Sequence, residues 1–141
     1  MLFQASAVAI AGRAVILEGP PGSGKSSLAL ALIDRGAQLI GDDGVTLARE
    51  GDRLLASPPP NIAGLLEIRG VGLVNLPTAT GVPVALILAL VGEGHAERLP
   101  GTLVARDLLG IGIPILPFVP GTTAPAIRTE WALRQHGLPV G

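Results

Sequence analysis

Gly19-Pro20-Pro21-Gly22-Ser23-Gly24-Lys25-Ser26 fits the phosphate-binding pattern G-x-x-x-x-G-K-[ST] without a mismatch. Glycines let backbone N–H groups turn inward around an anion, Lys25 reaches the outer phosphates, and the Ser26 hydroxyl is placed to ligate Mg²⁺. A chain with 20 glycines can produce such a run by accident, so its flanks decide. Ala14-Val15-Ile16-Leu17 before it is an apolar strand pattern. Ser27-Leu28-Ala29-Leu30-Ala31-Leu32-Ile33 after it reads as a helix, stopped by a basic last turn and a cap glycine at Arg35-Gly36. Strand, glycine loop and helix in that order aim the positive end of the helix dipole at the loop. The stretch therefore predicts an α/β fold with a nucleotide-phosphate site over Gly19 to Ser27.

Working outward, Ala5 to Ala11 and Arg13 to Glu18 read as two strands joined at Gly12, and Ala37 to Ile40 as a buried strand ending at Gly41-Asp42-Asp43. Val45 to Arg49 and Arg53 to Ala56 flank Glu50-Gly51-Asp52, a three-residue hairpin connection. Pro58-Pro59-Pro60 starts a loop, Ala63 to Ile68 fits a short helix or a strand, and Val71 to Leu76 and Val84 to Val91 fit strands. Gly92 to Gly101 reads as a polar loop. Ile111 to Val119 reads as a last strand, which Pro114 and Pro117 place at a sheet edge. Ala124 to Gln135 reads as a helix with Trp131 and Leu133 near its packing side. One βα unit among several hairpins departs from the repeated βαβ of ordinary phosphate-loop enzymes, so a mixed sheet with few helices is expected.

The 141 residues suit one domain, 1–141, with no room for a second catalytic domain. A net charge of -1 without a block of like charge gives no footprint for nucleic acid or an anionic membrane. Phe3, Phe118 and Trp131 are the only aromatic residues, so no platform for stacking bases is expected. The absence of cysteine excludes disulfides and thiolate metal sites. The longest apolar run, Val82 to Val91, is about ten residues and contains Pro83, too short to span a membrane. Met1-Leu2-Phe3-Gln4 lacks the basic segment of a signal peptide, which makes the cytoplasm the default. His95 and His136 have no second ligand at metal spacing and read as solvated.

Asp42 and Asp43 come seventeen and eighteen residues after Lys25, at the C-terminal end of the strand that follows the loop helix. Open α/β sheets collect ligands at that edge. Two adjacent carboxylates there can divide the work, one holding Mg²⁺ or its water and the other taking a proton from an attacking hydroxyl. A solvated Asp-Asp-Gly turn is the plain alternative, and the phosphate loop nearby weighs against it. In Leu66-Glu67-Ile68-Arg69-Gly70-Val71-Gly72, Glu67 can complete a metal shell and Arg69 can stabilise transferring phosphoryl charge. Taken alone, that pair would read as a surface ion pair.

Together these residues resemble the HPr kinase/phosphorylase catalytic domain, whose fold is related to phosphoenolpyruvate carboxykinase, and the resemblance covers nearly the whole chain. In that family the loop helix leads to an aliphatic strand ending in Asp-Asp, as Leu39-Ile40-Gly41-Asp42-Asp43 does here. A Glu-Ile-Arg-Gly-x-Gly signature follows, matched by Glu67 to Gly72 and continued by Leu73-Val74-Asn75. The resemblance implies an ATP- and Mg²⁺-dependent serine kinase acting on a small HPr-type phosphocarrier protein of the phosphotransferase system. It implies that Lys25 binds the phosphates and that Ser26 and Glu67 bind Mg²⁺. Asp43 would accept the serine proton with Asp42 supporting it, the order of the two staying open, and Arg98 in Glu97-Arg98-Leu99 would act in catalysis.

Two departures from the family pattern carry consequences. Gln4 stands twenty-one residues before Lys25, where the family has a histidine, and glutamine does not titrate near neutrality. Val119-Pro120-Gly121-Thr122-Thr123 replaces an Arg-Pro-Gly-Arg segment, removing two charges that would bind inorganic phosphate or a phosphorylated partner. A phosphorylase activity is therefore expected to be weaker than the kinase. The resemblance also implies a short form without the family's N-terminal domain, and it is compatible with a homo-oligomer without setting one. Gln4 and Val119 equally suit a nucleotide-binding regulatory protein of the same fold that has lost catalysis. A small-molecule kinase of the ordinary phosphate-loop superfamily would need a parallel sheet and an arginine-rich lid.

Overall fold

A computed structural model describes residues 1–139. β1 (Leu2–Phe3), β2 (Ser6–Ile10) and β3 (Arg13–Glu18) lead to the glycine loop; α1 (Lys25–Asp34) follows it, and β4 (Gln38–Gly41) returns to the sheet. β5 (Val45–Glu50) pairs with β6 (Arg53–Ser57), and β7 (Leu65–Ile68) with β8 (Gly72–Asn75), the latter as a separate two-stranded sheet. β9 (Val82–Leu90), β10 (Val104–Leu108), β11 (Ile111–Phe118) and α2 (Pro125–His136) follow. The large sheet runs β1-β5-β6-β9-β3-β2-β4, with β11 joined to β9 and β10 joined to β11. β9 pairs in parallel with β3 and β11, and the other ladders are antiparallel, which is the mixed sheet expected from the hairpins.

Local chemistry accounts for the connections. Ala11 and Gly12, with φ of 50° and 83°, form a two-residue turn whose left-handed backbone matches the twist of β2 and β3. Glu50 pairs with Arg53, so Gly51-Asp52 is a two-residue turn rather than the three-residue one expected. α1 ends where Gly36, at φ 103°, lets the chain reverse. Its N–H donates to Ile33 O at 3.0 Å, and the Ala37 N–H donates to Leu32 O at 3.0 Å. Arg35 sits one residue past the helix instead of in its last turn, and its guanidinium forks onto Glu130 of α2 at 2.9 and 3.0 Å.

The sheet is covered on both faces, which is why its central strands read as unbroken apolar runs. Val15 and Leu17 of β3 join Leu86 and Leu88 of β9 beneath Leu28 and Leu32 of α1 and Leu133 of α2. Ala14, Ile16 and Ile87 face the other way, against Val45, Leu47 and Leu54 of the β5–β6 hairpin and Ile113. Among the described residues no helix is long and apolar enough to cross a membrane.

Two further expectations are corrected, and one strand lies where none was expected. β11 is paired on both sides, so Pro114 and Pro117 do not make it an edge. Its partners are staggered: Pro114 lies opposite Ala105 of β10 and Pro117 opposite Ala89 of β9, so each proline needs a ladder on one flank only. Trp131 is 55% exposed and lies off the packing side, which Ala126, Thr129, Ala132 and Leu133 form. β10, with Arg106 and Asp107 in its middle, carries too little apolar pattern to be read as a strand and takes its pairing from β11.

Candidate active site

The chain leaves β3 at Glu18 and folds tightly over itself. A Cβ on Gly19 would lie 2.6 Å from Ser23 Oγ and 3.2 Å from the Leu90 carbonyl oxygen, so only glycine fits there. Gly22 and Gly24 take the left-handed φ values of 83° and 99° that bring the following amides round to α1. The first turn of α1 has no acidic residue and no side-chain cap, which leaves its N–H groups to an anion. Lys25 Nζ donates to Gly19 O at 2.6 Å, fixing the ammonium across the mouth of the loop.

β4 delivers the two aspartates to this loop. Ala7 of β2 lies opposite Gly41, so the chain just past β4 runs beside Ser6. Asp42 Oδ1 accepts hydrogen bonds from Ser26 Oγ at 2.8 Å and Ser6 Oγ at 3.0 Å, and Asp42 Oδ2 receives the Glu67 N–H at 3.5 Å. Asp43 has a left-handed backbone, φ 60°, and its N–H donates to Ser6 Oγ at 3.3 Å. Its own carboxylate lines the cleft and is exposed. The neighbours are thus unlike: Asp42 organises protein donors, and Asp43 faces open space.

The doubling back of the chain depends on Gly41, where a Cβ would lie 2.1 Å from the Gly44 carbonyl oxygen and 2.9 Å from Val45 Cγ1. Gly41→Ala is expected to cost about 1–3 kcal/mol, the range for overpacking a tight site. The midpoint of urea unfolding checks this, and an unchanged midpoint would show that the turn yields without strain.

β7 and β8 carry Glu67 and Arg69 to the same cleft, of about 680 Å³, where they meet Gln4, Lys25, Ser26 and Asp43. Of the residues singled out from sequence, Gly19, Pro21, Gly22, Ser23, Gly24 and Ser27 also line it. Pro20 does not, and Asp42 sits behind the wall. Arg98 is not brought to this cleft. It lines a second cavity, of about 460 Å³, between residues 93–100, the end of β11 and α2, with Trp131 and Arg128. Among the described residues no three Asp, Glu, His or Cys side chains converge as a metal cage. Mg²⁺ needs none, because it takes one or two protein oxygens and fills its shell with phosphate and water. The hard oxygens of Ser26 and Glu67 suit that habit.

Sequence reading passed over three residues. Ser6 is a single hydroxyl in an apolar strand, and Gly41 is one glycine among many. Arg128, on α2, donates to the carbonyls of Val119 at 2.8 and 2.5 Å, Pro120 at 3.0 Å and Thr123 at 3.2 Å, while lying 4.6 Å over the Phe118 ring. It holds the turn after β11, whose Pro120 ring lies 4.0 Å from where a Gly24 Cβ would be. In the sequence Arg128 is a lone arginine nine residues after Val119, and no local pattern marks its role. On the other flank of the loop, Arg106 pairs with Glu18, the residue before Gly19. That hydrogen bond raises the guanidinium pKa against the opposing effect of burial.

The fold and this cleft define a class: a mixed-sheet α/β domain with a glycine loop facing paired aspartates and an acidic hairpin. The family model of the HPr Serine kinase C-terminal domain matches residues 2–90, and the chain belongs to that family. An HPr kinase/phosphorylase of Ralstonia nicotianae is 40% identical over 114 residues, covering 74% of this chain and 35% of that protein. One of Clostridium tetani is 30% identical over 151 residues, covering 94% of this chain and 50% of that protein. The chain thus spans between about a third and a half of the curated relatives it matches. Among solved structures, the Hpr(Ser) kinase/phosphatase from Coxiella burnetii superposes with a TM-score of 0.82 at 31% identity, over 96% of this chain and 90% of that one.

Proposed function

We propose that this domain is an ATP- and Mg²⁺-dependent kinase that phosphorylates a serine of a small HPr-type phosphocarrier protein of the phosphotransferase system, in the cytoplasm. The observation that carries the reading is the one cleft in which Lys25, Ser26, Asp43, Glu67 and Arg69 meet, with Asp42 fixing Ser26 from behind. The names of the relatives, HPr kinase/phosphorylase, support the acceptor class.

In the proposed step the serine Oγ forms a bond to the γ-phosphorus while the bond from that phosphorus to the β,γ-bridging oxygen breaks and ADP leaves. The serine proton passes to the Asp43 carboxylate, which is the exposed member of the aspartate pair. The loop amides and Lys25 hold the phosphates, and Arg69 faces the transferring group. Mg²⁺, held by Ser26 and Glu67 when bound, neutralises charge on the phosphates. Arg98, which the resemblance assigns to catalysis, lines the neighbouring cavity beside α2. The test is transfer of labelled γ-phosphate to carrier proteins of the same organism, abolished by EDTA. Binding of MgATP with no transfer to any carrier would favour the regulatory reading that Gln4 and Val119 suggest.

The forward reaction is expected to exceed phosphate-dependent removal of the seryl phosphate. That reverse reaction sets a second anion beside the first, and clustered cations must offset their repulsion. Among the described residues, Lys25 and Arg69 are the only basic ones lining the cleft. Supplying phosphoseryl carrier with millimolar phosphate and measuring pyrophosphate release checks this. Equal forward and reverse rates would show that further arginines are dispensable.

A further inference from the structure

We infer that Ser6 is a positioning residue that sets both aspartates and the Ser26 hydroxyl; the inference rests on the kinase reading above. Ser6 opens β2, whose other residues are Ala7-Val8-Ala9-Ile10, and it is fully buried. A hydroxyl there is unfavourable unless its hydrogen-bonding capacity is used. It carries one proton and two lone pairs. The Asp43 N–H can only donate, so the Ser6 oxygen accepts it at 3.3 Å and sends its own proton to Asp42 Oδ1 at 3.0 Å. Asp42 Oδ1 also receives the Ser26 proton at 2.8 Å. With its proton held there, Ser26 presents lone pairs toward the cleft, the state a metal-ligating hydroxyl needs. One buried hydroxyl thus fixes the left-handed backbone of Asp43, the rotamer of Asp42 and the direction of the Ser26 lone pairs.

Ser6 does not line the cleft, so its loss leaves the phosphate loop intact and disturbs only geometry. In Ser6→Ala the kcat for transfer is expected to fall about 10–100-fold, the scale of a misplaced reacting group, with the KM for MgATP changed by less than about 3-fold. Amide hydrogen exchange at Asp43 is expected to quicken by about 10-fold or more, because its N–H loses its partner. Thr129→Ala removes another buried hydroxyl, bonded to Pro125 O at 2.9 Å within α2. It controls for the loss of any buried hydroxyl and is expected to leave kcat and Asp43 exchange unchanged. A Ser6→Ala protein with wild-type kcat, with unaltered Asp43 exchange, or with a kcat loss matched by Thr129→Ala would overturn the inference. If the wild-type protein transfers no phosphoryl group, the kinase reading falls. Asp43 exchange in Ser6→Ala then decides by itself whether Ser6 holds the aspartates.

Discussion

Lys25→Ala is expected to lower phosphoryl transfer by about 10³-fold or more, because the charge that develops on the transferring group loses the only cation of the loop. MgATP affinity is expected to fall about 10–100-fold, the loss of one charge-assisted hydrogen bond. The structure explains why nothing substitutes for it. Lys25 Nζ is fixed at 2.6 Å from Gly19 O across the loop, and Arg69 is the other basic residue lining the cleft, on a different hairpin. Titration calorimetry with MgATP and single-turnover transfer separate the two effects. Near-normal transfer in the variant would remove the phosphate-loop hypothesis.

Asp43→Asn is expected to bind MgATP as the wild type does while transfer slows by about 10²–10⁴-fold, the contribution of a positioned general base. Asp42→Asn should behave differently. Its Oδ1 accepts two hydroxyl protons, from Ser26 and Ser6, and an amide at that place brings donors against donors or leaves one proton unpaired. That variant is expected to lose MgATP affinity and thermal stability together with transfer. Equal behaviour of the two variants would show that the carboxylates act as one unit, and wild-type rates in both would reduce the pair to a turn.

What the sequence disclosed follows from how local each signal is. The phosphate loop is eight contiguous residues whose chemistry demands their types, and the strand and helix around it are marked by their own periods. The hairpins at Gly12 and Gly51 are likewise local. The long-range pairings are not. β10 is a strand because β11 offers it a ladder, and β11 tolerates two prolines because its partners alternate along its length. At the site, Lys25, Ser26, Asp43 and Glu67 carry charged or ligating groups and stand out in a sequence. Ser6 becomes significant only when the β2–β4 register sets it beside Asp42, and Gly41 only when the Gly44 carbonyl folds back on it. Arg98 shows the converse: its motif is local, and the loop that bears it faces the cavity beside α2.

The account turns on one transfer, and mapping the phosphorylated residue tests it most directly. The wild-type protein is incubated with MgATP and a purified HPr-type carrier, and the carrier is then mapped by mass spectrometry. The account predicts one added phosphoryl group, on a serine, formed with Mg²⁺ present and absent from the Lys25→Ala and Asp43→Asn reactions over the same time. An unmodified carrier in the presence of saturating MgATP, or a phosphoryl group that forms equally well with Asp43→Asn, would contradict it.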